Sequence, residues 1–423
     1  MQTLNKKQIY RNYFLLLSEG ILFTIGIVFF DANTILPLLI KKLTGSAIMV
    51  GFIGTAPALG MGITSLFAGN WVKSYQYKKK FFLLFSSVGR IPLWILGLSL
   101  IFLSTENVLF WSFLIIGLQF LFWFADGAVY TAWADIIGKT ISPDKRGRFL
   151  ALMQMIAGIL SVFAGGFIKT ILSLEILEFP GNYGLILCIG AFLFTLSVLV
   201  VWGVVEIPSS ITKREKSRDL IKLLPQYFKA NKPFSISMGV LFLCSLTTIS
   251  LPFYITFAQT NYNLANGDVG ILISSQIIGR MLGGLLLGLI GDKYGHEKAI
   301  IGYSIAGLIP PLLALLVALT ILKINPLIIF SIIYFFLGMF AGGGSSFMNY
   351  MIDLIAEDQR TLYAGLINVV KMPAAIAPVL GGIMVSILGY LPIFIIAIFF
   401  SILGIILSLK LPAADRTQMN NLS

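Results

Sequence analysis

The chain has 423 residues, of which 57% are hydrophobic and only 11% charged, with 41 Gly, 34 Phe and a formal net charge of +12. A soluble domain is about 25% charged, because charge covers its surface, whereas the mean hydropathy here is +0.93. Soluble enzymes, nucleic-acid binders and disordered chains are excluded as first readings, and the positive balance has to be set against membrane spans before nucleic acid is invoked.

At the start, Lys6, Lys7 and Arg11 precede an apolar run that continues to Ile40 and contains Asp31 and Pro37. It lacks a small-residue cleavage pattern after a short apolar core, so it reads as a retained first helix rather than a removed signal. Residues 43–72, 179–205, 233–267, 299–322 and 324–352 carry no charge. Each is long enough for one crossing, which needs ~20 apolar residues for ~30 Å of hydrocarbon. The uncharged stretch 372–409 is nearly double that, and Gly389-Tyr390-Leu391-Pro392 divides it into a helical hairpin. Loop signals then give about twelve spans: 13–40, 46–72, 81–104, 107–138, 147–173, 183–205, 234–258, 267–291, 299–322, 326–352, 361–388 and 392–410. Cys188 and Cys244 both fall inside spans, where they read as small apolar filling with no disulfide.

Numbered from an inside N-terminus, 23 of the 30 Lys and Arg lie on the inner side. Only Lys41, Lys42, Lys169 and Lys323 lie on the outer side, and Arg90, Arg280 and Lys371 lie within spans. This asymmetry predicts a multi-pass protein of the cell membrane with both termini cytoplasmic. The +12 is then topological, with anionic lipid as an added contact and no need for nucleic acid.

The longest polar stretch, 206–232, follows the sixth span and separates two halves, 1–205 and 233–423. Landmarks recur between them at nearly constant offset. Leu36-Pro37 matches Leu251-Pro252, Val50-Gly51 matches Val269-Gly270, and Gly69 matches Gly288. Asp135 matches Asp353, Arg146 matches Arg360, and Gly165-Gly166 matches Gly381-Gly382. Six ordered pairs point to a duplicated six-helix unit, a signature of transporters.

An ionised side chain at mid-bilayer costs at least ~2.5–3.5 kcal/mol, so each one is a functional candidate. Asp31 (span 1), Arg90 (span 3), Asp126 (span 4), Arg280 (span 8) and Lys371 (span 11) lie well inside their spans, and Glu19 lies nearer the inner end of span 1. In span 4, Gln119, Trp123, Asp126, Tyr130 and Trp133 recur at helical spacing and read as one polar–aromatic cavity wall. Gln276 and Arg280 align with Gly284 and Gly288, Gln154 with Gly158, Ser161 and Gly165, and Asn368 with Lys371. The glycines themselves read as close-packing positions.

After span 8 stands Gly288-Leu-Ile-Gly-Asp292-Lys293-Tyr-Gly295-His-Glu-Lys298. It resembles the Gly-x-x-x-Asp-Arg/Lys-x-Gly-x-Arg/Lys loop motif of the major facilitator superfamily, with the last basic residue one position late. Other inner loops add Asp135 with Arg146, and Asp353 with Arg360. The resemblance covers essentially the whole chain. It implies an all-α integral membrane fold of twelve transmembrane helices in two pseudo-twofold-related six-helix bundles, with these loop residues as inner gates. The first-half copy departs from the motif, with Lys73, Ser74 and Gln76 in place of Asp, a basic residue and Gly. Lys73 either faces Glu357 or Asp358 as a sign-inverted pair or serves only to set topology.

The resemblance further implies that spans 1, 4, 7 and 10 line a central cavity and that spans 2, 5, 8 and 11 form the interface between halves. On that basis Asp31, Asn33, Thr34, Gln119, Trp123, Asp126 and Tyr130 lie on cavity spans, Arg280, Asn368 and Lys371 lie on interface spans, and Arg90 is a structural partner on a peripheral span. Burial and a nearby cation act oppositely on a carboxylate's proton affinity. Asp31 or Asp126 is therefore expected to exchange a proton when a cationic partner moves.

The Gly-Pro-x-x-Gly-Gly element of the superfamily's proton-driven exporters is absent from span 5, which has Ser161-Val-Phe-Ala-Gly165-Gly166. A similar element, Ala377-Pro378-Val-Leu-Gly381-Gly382, stands in span 11. Carboxylates suit a cationic or proton-coupled solute, Arg280 and Lys371 an anionic one, and Asn33, Thr34, Tyr254 and Asn349 a sugar-like one. Substrate chemistry stays open between export and uptake, and a channel remains the distant alternative. One His, two separated Cys and no His-Glu-x-x-His or Gly-x-Ser-x-Gly element argue against an enzyme, a metal site or a cofactor. The expected partners are a small-molecule substrate, a proton as coupling ion and the lipid bilayer, with the protein acting as a monomer.

Overall fold

Apolar stretches of this length satisfy their backbone hydrogen bonds in hydrocarbon only as helices or closed barrels, and this chain uses helices throughout. The computed structural model describes residues 5–103, 106–173, 177–209, 228–229, 231–322, 324–355 and 360–413. Among the described residues all regular structure is helical, and twelve segments are long and apolar enough to cross a membrane.

The first six spans are α1 (Lys6–Phe29) with its continuation α2 (Ile35–Thr44), α3 (Ala47–Lys73), α4 (Lys78–Phe102), α5 (Val108–Thr140), α6 (Pro143–Ser173) and α7 (Gly181–Trp202). The next six are α8 (Lys232–Leu246) with α9 (Phe253–Tyr262), α10 (Asp268–Tyr294), α11 (His296–Ala318), α12 (Pro326–Gly342) with α13 (Ser345–Leu354), α14 (Arg360–Lys371) with α15 (Ala377–Leu388), and α16 (Leu391–Ser408). Some helix starts carry side-chain caps. Asn107 accepts from the Phe110 N–H at 3.0 Å, and Asn231 accepts from the Phe234 N–H at 3.0 Å. Gly389, at φ +78°, makes the left-handed turn between α15 and α16.

Four spans read from the sequence as single helices are interrupted. Span 1 stops at Phe29 and restarts at Ile35, because Pro37 has no N–H and is accommodated in the first turn of α2. Span 7 passes through a 3₁₀ turn, Thr247–Ser250, and restarts after Pro252. Both breaks fall at the paired Leu-Pro sites. Span 10 breaks at Gly343-Gly344, and span 11 contains a 3₁₀ turn, Met372–Ile376, between Pro373 and Pro378. Proline and glycine pairs are the ordinary causes of such breaks.

Contacts divide the chain into two units, residues 1–217 with 266–270, and residues 218–265 with 271–423. Most of the stretch 206–232 lies outside the described residues. In the first unit, α5 packs against α3 and α4, and α1 packs against α7 and α6. A Cβ on Gly184 would stand 2.7 Å from the Gly97 carbonyl oxygen, so the missing side chain lets α4 and α7 cross backbone to backbone. In the second unit, α11 packs against α12 and α16. There a Cβ on Gly279 would stand 1.9 Å from the Phe335 carbonyl, and one on Gly338 1.9 Å from the Gln276 carbonyl, which brings α10 and α12 equally close. Large apolar side chains remain outside, among them Leu285, Phe163 and Ile387. Such a surface is unfavourable in water and neutral in hydrocarbon.

Candidate functional site

Asp31 lies in the break between α1 and α2. Its Oδ1 accepts from the Asn33 N–H at 2.8 Å and from the Thr34 hydroxyl at 2.8 Å, while its carbonyl accepts from Leu36 N–H at 3.1 Å. Three sequence-predicted site residues therefore come together just ahead of α2, whose N-cap Thr34 makes no side-chain capping bond, with a carboxylate near the positive end of a helix.

The span 4 positions do not share one environment. Gln119 is fully buried, and its amide donates to the Ile53 carbonyl of α3 at 3.2 Å. Asp126 is buried as well. Trp123 and Trp133 are half-buried, and Tyr130 is 60% exposed, so only the Tyr130 side of the stripe reaches the surface of the unit. The α5 face carrying Gln119 and Asp126 is turned into the bundle.

Asp126 Oδ1 accepts from Arg90 Nη2 of α4 at 3.1 Å, with Arg90 only 3% exposed. Three aromatic rings surround the guanidinium, Phe122 at 4.9 Å, Phe194 at 5.1 Å and Phe23 at 5.3 Å. Each ring contributes of order 0.5–2 kcal/mol of cation–π attraction. Arg90 is thus the partner of a candidate site residue, reached from a span that the resemblance marks as peripheral. Its Nε and Nη1 groups are buried and have no hydrogen-bond partner.

Glu19 of α1 was given no role by the sequence reading, yet it is 4% exposed. Its Oε2 accepts from the Trp133 indole N–H at 2.7 Å, and Trp133 stacks on Tyr130 with centroids 6.1 Å apart. Phe23, one turn beyond Glu19 on α1, lies 5.3 Å from the Arg90 guanidinium, which places this face of α1 beside the Arg90–Asp126 pair. A signal was present: Asn12, Leu16 and Glu19 recur as i, i+4, i+7, and all three are buried. Among the described residues, the membrane spans of the first unit therefore hold two buried carboxylates and one buried guanidinium.

The second unit differs. Arg280 and Lys371 are both exposed, and the side chain of Asn368 falls outside those described. Tyr254 is buried and shares a hydrogen bond of 2.9 Å with Ser250.

Several loop-motif residues make contacts within their own units. Arg146 Nε donates to the Ile141 carbonyl at 2.9 Å, and its Nη2 donates to that of Gly138, so it closes the end of α5. Asp135 pairs with Lys139 one turn on. Lys78, rather than Lys73, caps α3, its Nζ donating to the carbonyls of Val72 at 2.8 Å and Tyr75 at 2.7 Å. Glu206, which the sequence reading did not single out, accepts from the Lys78 N–H at 2.8 Å, the Lys79 N–H at 2.7 Å and Lys139 Nζ at 3.2 Å. In the second unit Asp292 and Lys293 are exposed, and Gly295 at φ +107° turns the chain so that His296 Nε2 lies 3.8 Å from Asp353 Oδ2. Gly288 meets nothing within 4 Å of its missing Cβ. Glu357 and Asp358, proposed opposite Lys73, and the side chain of Arg360 lie outside what is described. Among the described residues no group of three His, Cys, Asp or Glu side chains is arranged to hold a metal.

The sequence model of the Major Facilitator Superfamily matches residues 20–259 and 236–422. No curated protein sequence matches the chain. The fold is similar to a crystal structure of the nucleoside transporter NupG, with 14% identity, a TM-score of 0.64 and coverage of 96% of this chain and 98% of that one. It is similar to the D-xylose-proton symporter, with 12% identity, a TM-score of 0.69 and coverage of 96% and 99%. A bacterial homologue of the iron transporter ferroportin, in an inward-facing state, has 12% identity, a TM-score of 0.71 and coverage of 98% and 100%. The chain belongs to the Major Facilitator Superfamily and is a multi-pass membrane transporter of that fold rather than an enzyme.

Proposed function

We propose that this transporter moves a small organic solute across the cell membrane by alternating access and couples that movement to protons, as a monomer with both termini in the cytoplasm. The observation that supports coupling is the buried set in the spans of the first unit, where Glu19 and Asp126 are both buried and the one buried guanidinium, Arg90, pairs with Asp126. A buried carboxylate without a full counter-charge binds a proton readily and gives it up when a cation approaches. The excess of 23 inner against four outer Lys and Arg supports the orientation.

The test uses protein reconstituted in vesicles containing a pH-sensitive dye. Sugars, nucleosides, amino acids and lipophilic cations are first ranked by the thermal shift they produce, then added outside. Saturable solute flux accompanied by proton movement is the expected result. Unsaturable conductance would indicate a channel, and saturable flux without proton movement would remove the coupling.

A second reading, uptake of an anionic metabolite, is favoured by Arg280 and Lys371, which are exposed although they lie within spans. In the same screen it predicts that anionic solutes move and that Arg280→Gln abolishes their flux.

A further inference from the structure

From the first unit's own contacts, and resting on the proton-coupled reading, we infer that Glu19 is the residue that binds the exchanged proton, with Arg90 as the cation that releases it. Glu19, Arg90 and Asp126 are each at most 5% exposed. The helices packed around them supply no further counter-charge at that depth. α7 has no charged residue, α3 has only Lys73 at its end, and α6 has charges only in its first two turns and at Lys169. Fully ionised, the set carries one excess negative charge in a low-dielectric interior; with one proton bound it is neutral. Because a buried net charge is far more costly than a neutral set, the resting state holds one proton.

The contacts decide which carboxylate takes it. Asp126 receives a charge-assisted hydrogen bond from Arg90 Nη2 at 3.1 Å, which favours its ionised form. The one hydrogen bond to Glu19 comes from a neutral indole, Trp133, so Glu19 is the weaker anion. Release needs a cation, and Arg90 has one ready. Its Nε and Nη1 groups are buried and make no hydrogen bond, and the guanidinium lies 5.3 Å from the ring of Phe23, one turn beyond Glu19 on α1. When the proton leaves, the guanidinium shifts from serving Asp126 alone to bridging both carboxylates, which offsets part of the cost of the excess negative charge. No covalent bond other than O–H is made or broken. The carboxyl O–H breaks and the proton passes to water, because the Trp133 indole N–H is a donor only and cannot accept it.

The experiment is infrared difference spectroscopy of the purified transporter as pH is changed, reading the C=O stretch of protonated carboxyl groups. One such band should titrate in the wild type. It should move on uniform glutamate ¹³C labelling, stay fixed on aspartate labelling, and vanish in Glu19→Gln. Trp133→Phe should displace its midpoint, while Trp94→Phe, which removes a donor to Thr195 elsewhere in the same unit, should not. A band that moves with aspartate labelling, or that survives in Glu19→Gln, overturns the assignment while leaving proton coupling in place. Absence of any titrating band in the wild type overturns both. The labelling arms use unaltered protein, so they decide the question even if a variant fails to fold.

Discussion

Arg90 Nη2 and Asp126 Oδ1 meet at 3.1 Å with side chains only 4% and 8% exposed, joining α4 to α5 at the centre of the first unit. The pair fixes how these two helices are rotated, because among the described residues neither charge has another partner of opposite sign within bonding distance. It also makes Glu19 the carboxylate left to a neutral donor.

Removing one member of this pair leaves the other charged and buried, at a cost of about 3–5 kcal/mol. Arg90→Met and Asp126→Leu should each lower the melting temperature of the purified protein sharply, and the double variant should recover much of the loss. Strictly additive losses in a double-mutant cycle would show that the contact is not energetically real.

Asp31 Oδ1 accepts two hydrogen bonds at the start of α2. Asp31→Ala should cost about 0.5–2 kcal/mol, and Asp31→Asn should keep most of that stability because the amide oxygen still accepts. Hydrogen exchange at residues 33–36 reads this directly, speeding up in the alanine variant and little in the asparagine one.

Glu206 is 2% exposed and ties the start of α4 to the end of α5. Truncation to alanine leaves the Lys78 and Lys79 amides without their acceptor, at about 1–3 kcal/mol for a buried group. Those two amides should exchange faster in Glu206→Ala and at an intermediate rate in Glu206→Gln. Unchanged exchange would mean that the capping does not persist in the membrane.

At Gly279 a Cβ would meet the Phe335 carbonyl at 1.9 Å, whereas at Gly284 the nearest atom is the Gly342 carbonyl at 3.6 Å. Gly279→Ala should therefore force α10 from α12 and cost of order 1–3 kcal/mol, with Gly284→Ala close to neutral. Thermal unfolding of the two variants, one turn apart on one helix, separates close packing from simple helix propensity.

Much of the fold was legible from residues alone. The spans are set by runs such as 43–72 and 299–322, but the interruptions near Pro37 and Pro252 are not part of that reading, which has spans 1 and 7 unbroken. What spacing could not supply was which side of span 4 turns inward. Gln119, Asp126 and Tyr130 share one helical stripe, yet burial separates the first two from the third. A stripe of about 100° is wide enough to straddle the edge of a bundle. Spacing fixes angles within a helix, and only the neighbours fix the rotation of that helix in the unit.

The sequence by itself determined the number of spans, their charge asymmetry and the family, because a bilayer imposes length and polarity locally on each segment. The tertiary structure alone decided which buried charges answer one another. Arg90 and Asp126 are 36 positions apart, and Glu19 and Trp133 are 114 apart. A charge in hydrocarbon needs a partner within a few ångströms, and only the packing of separate helices brings one there.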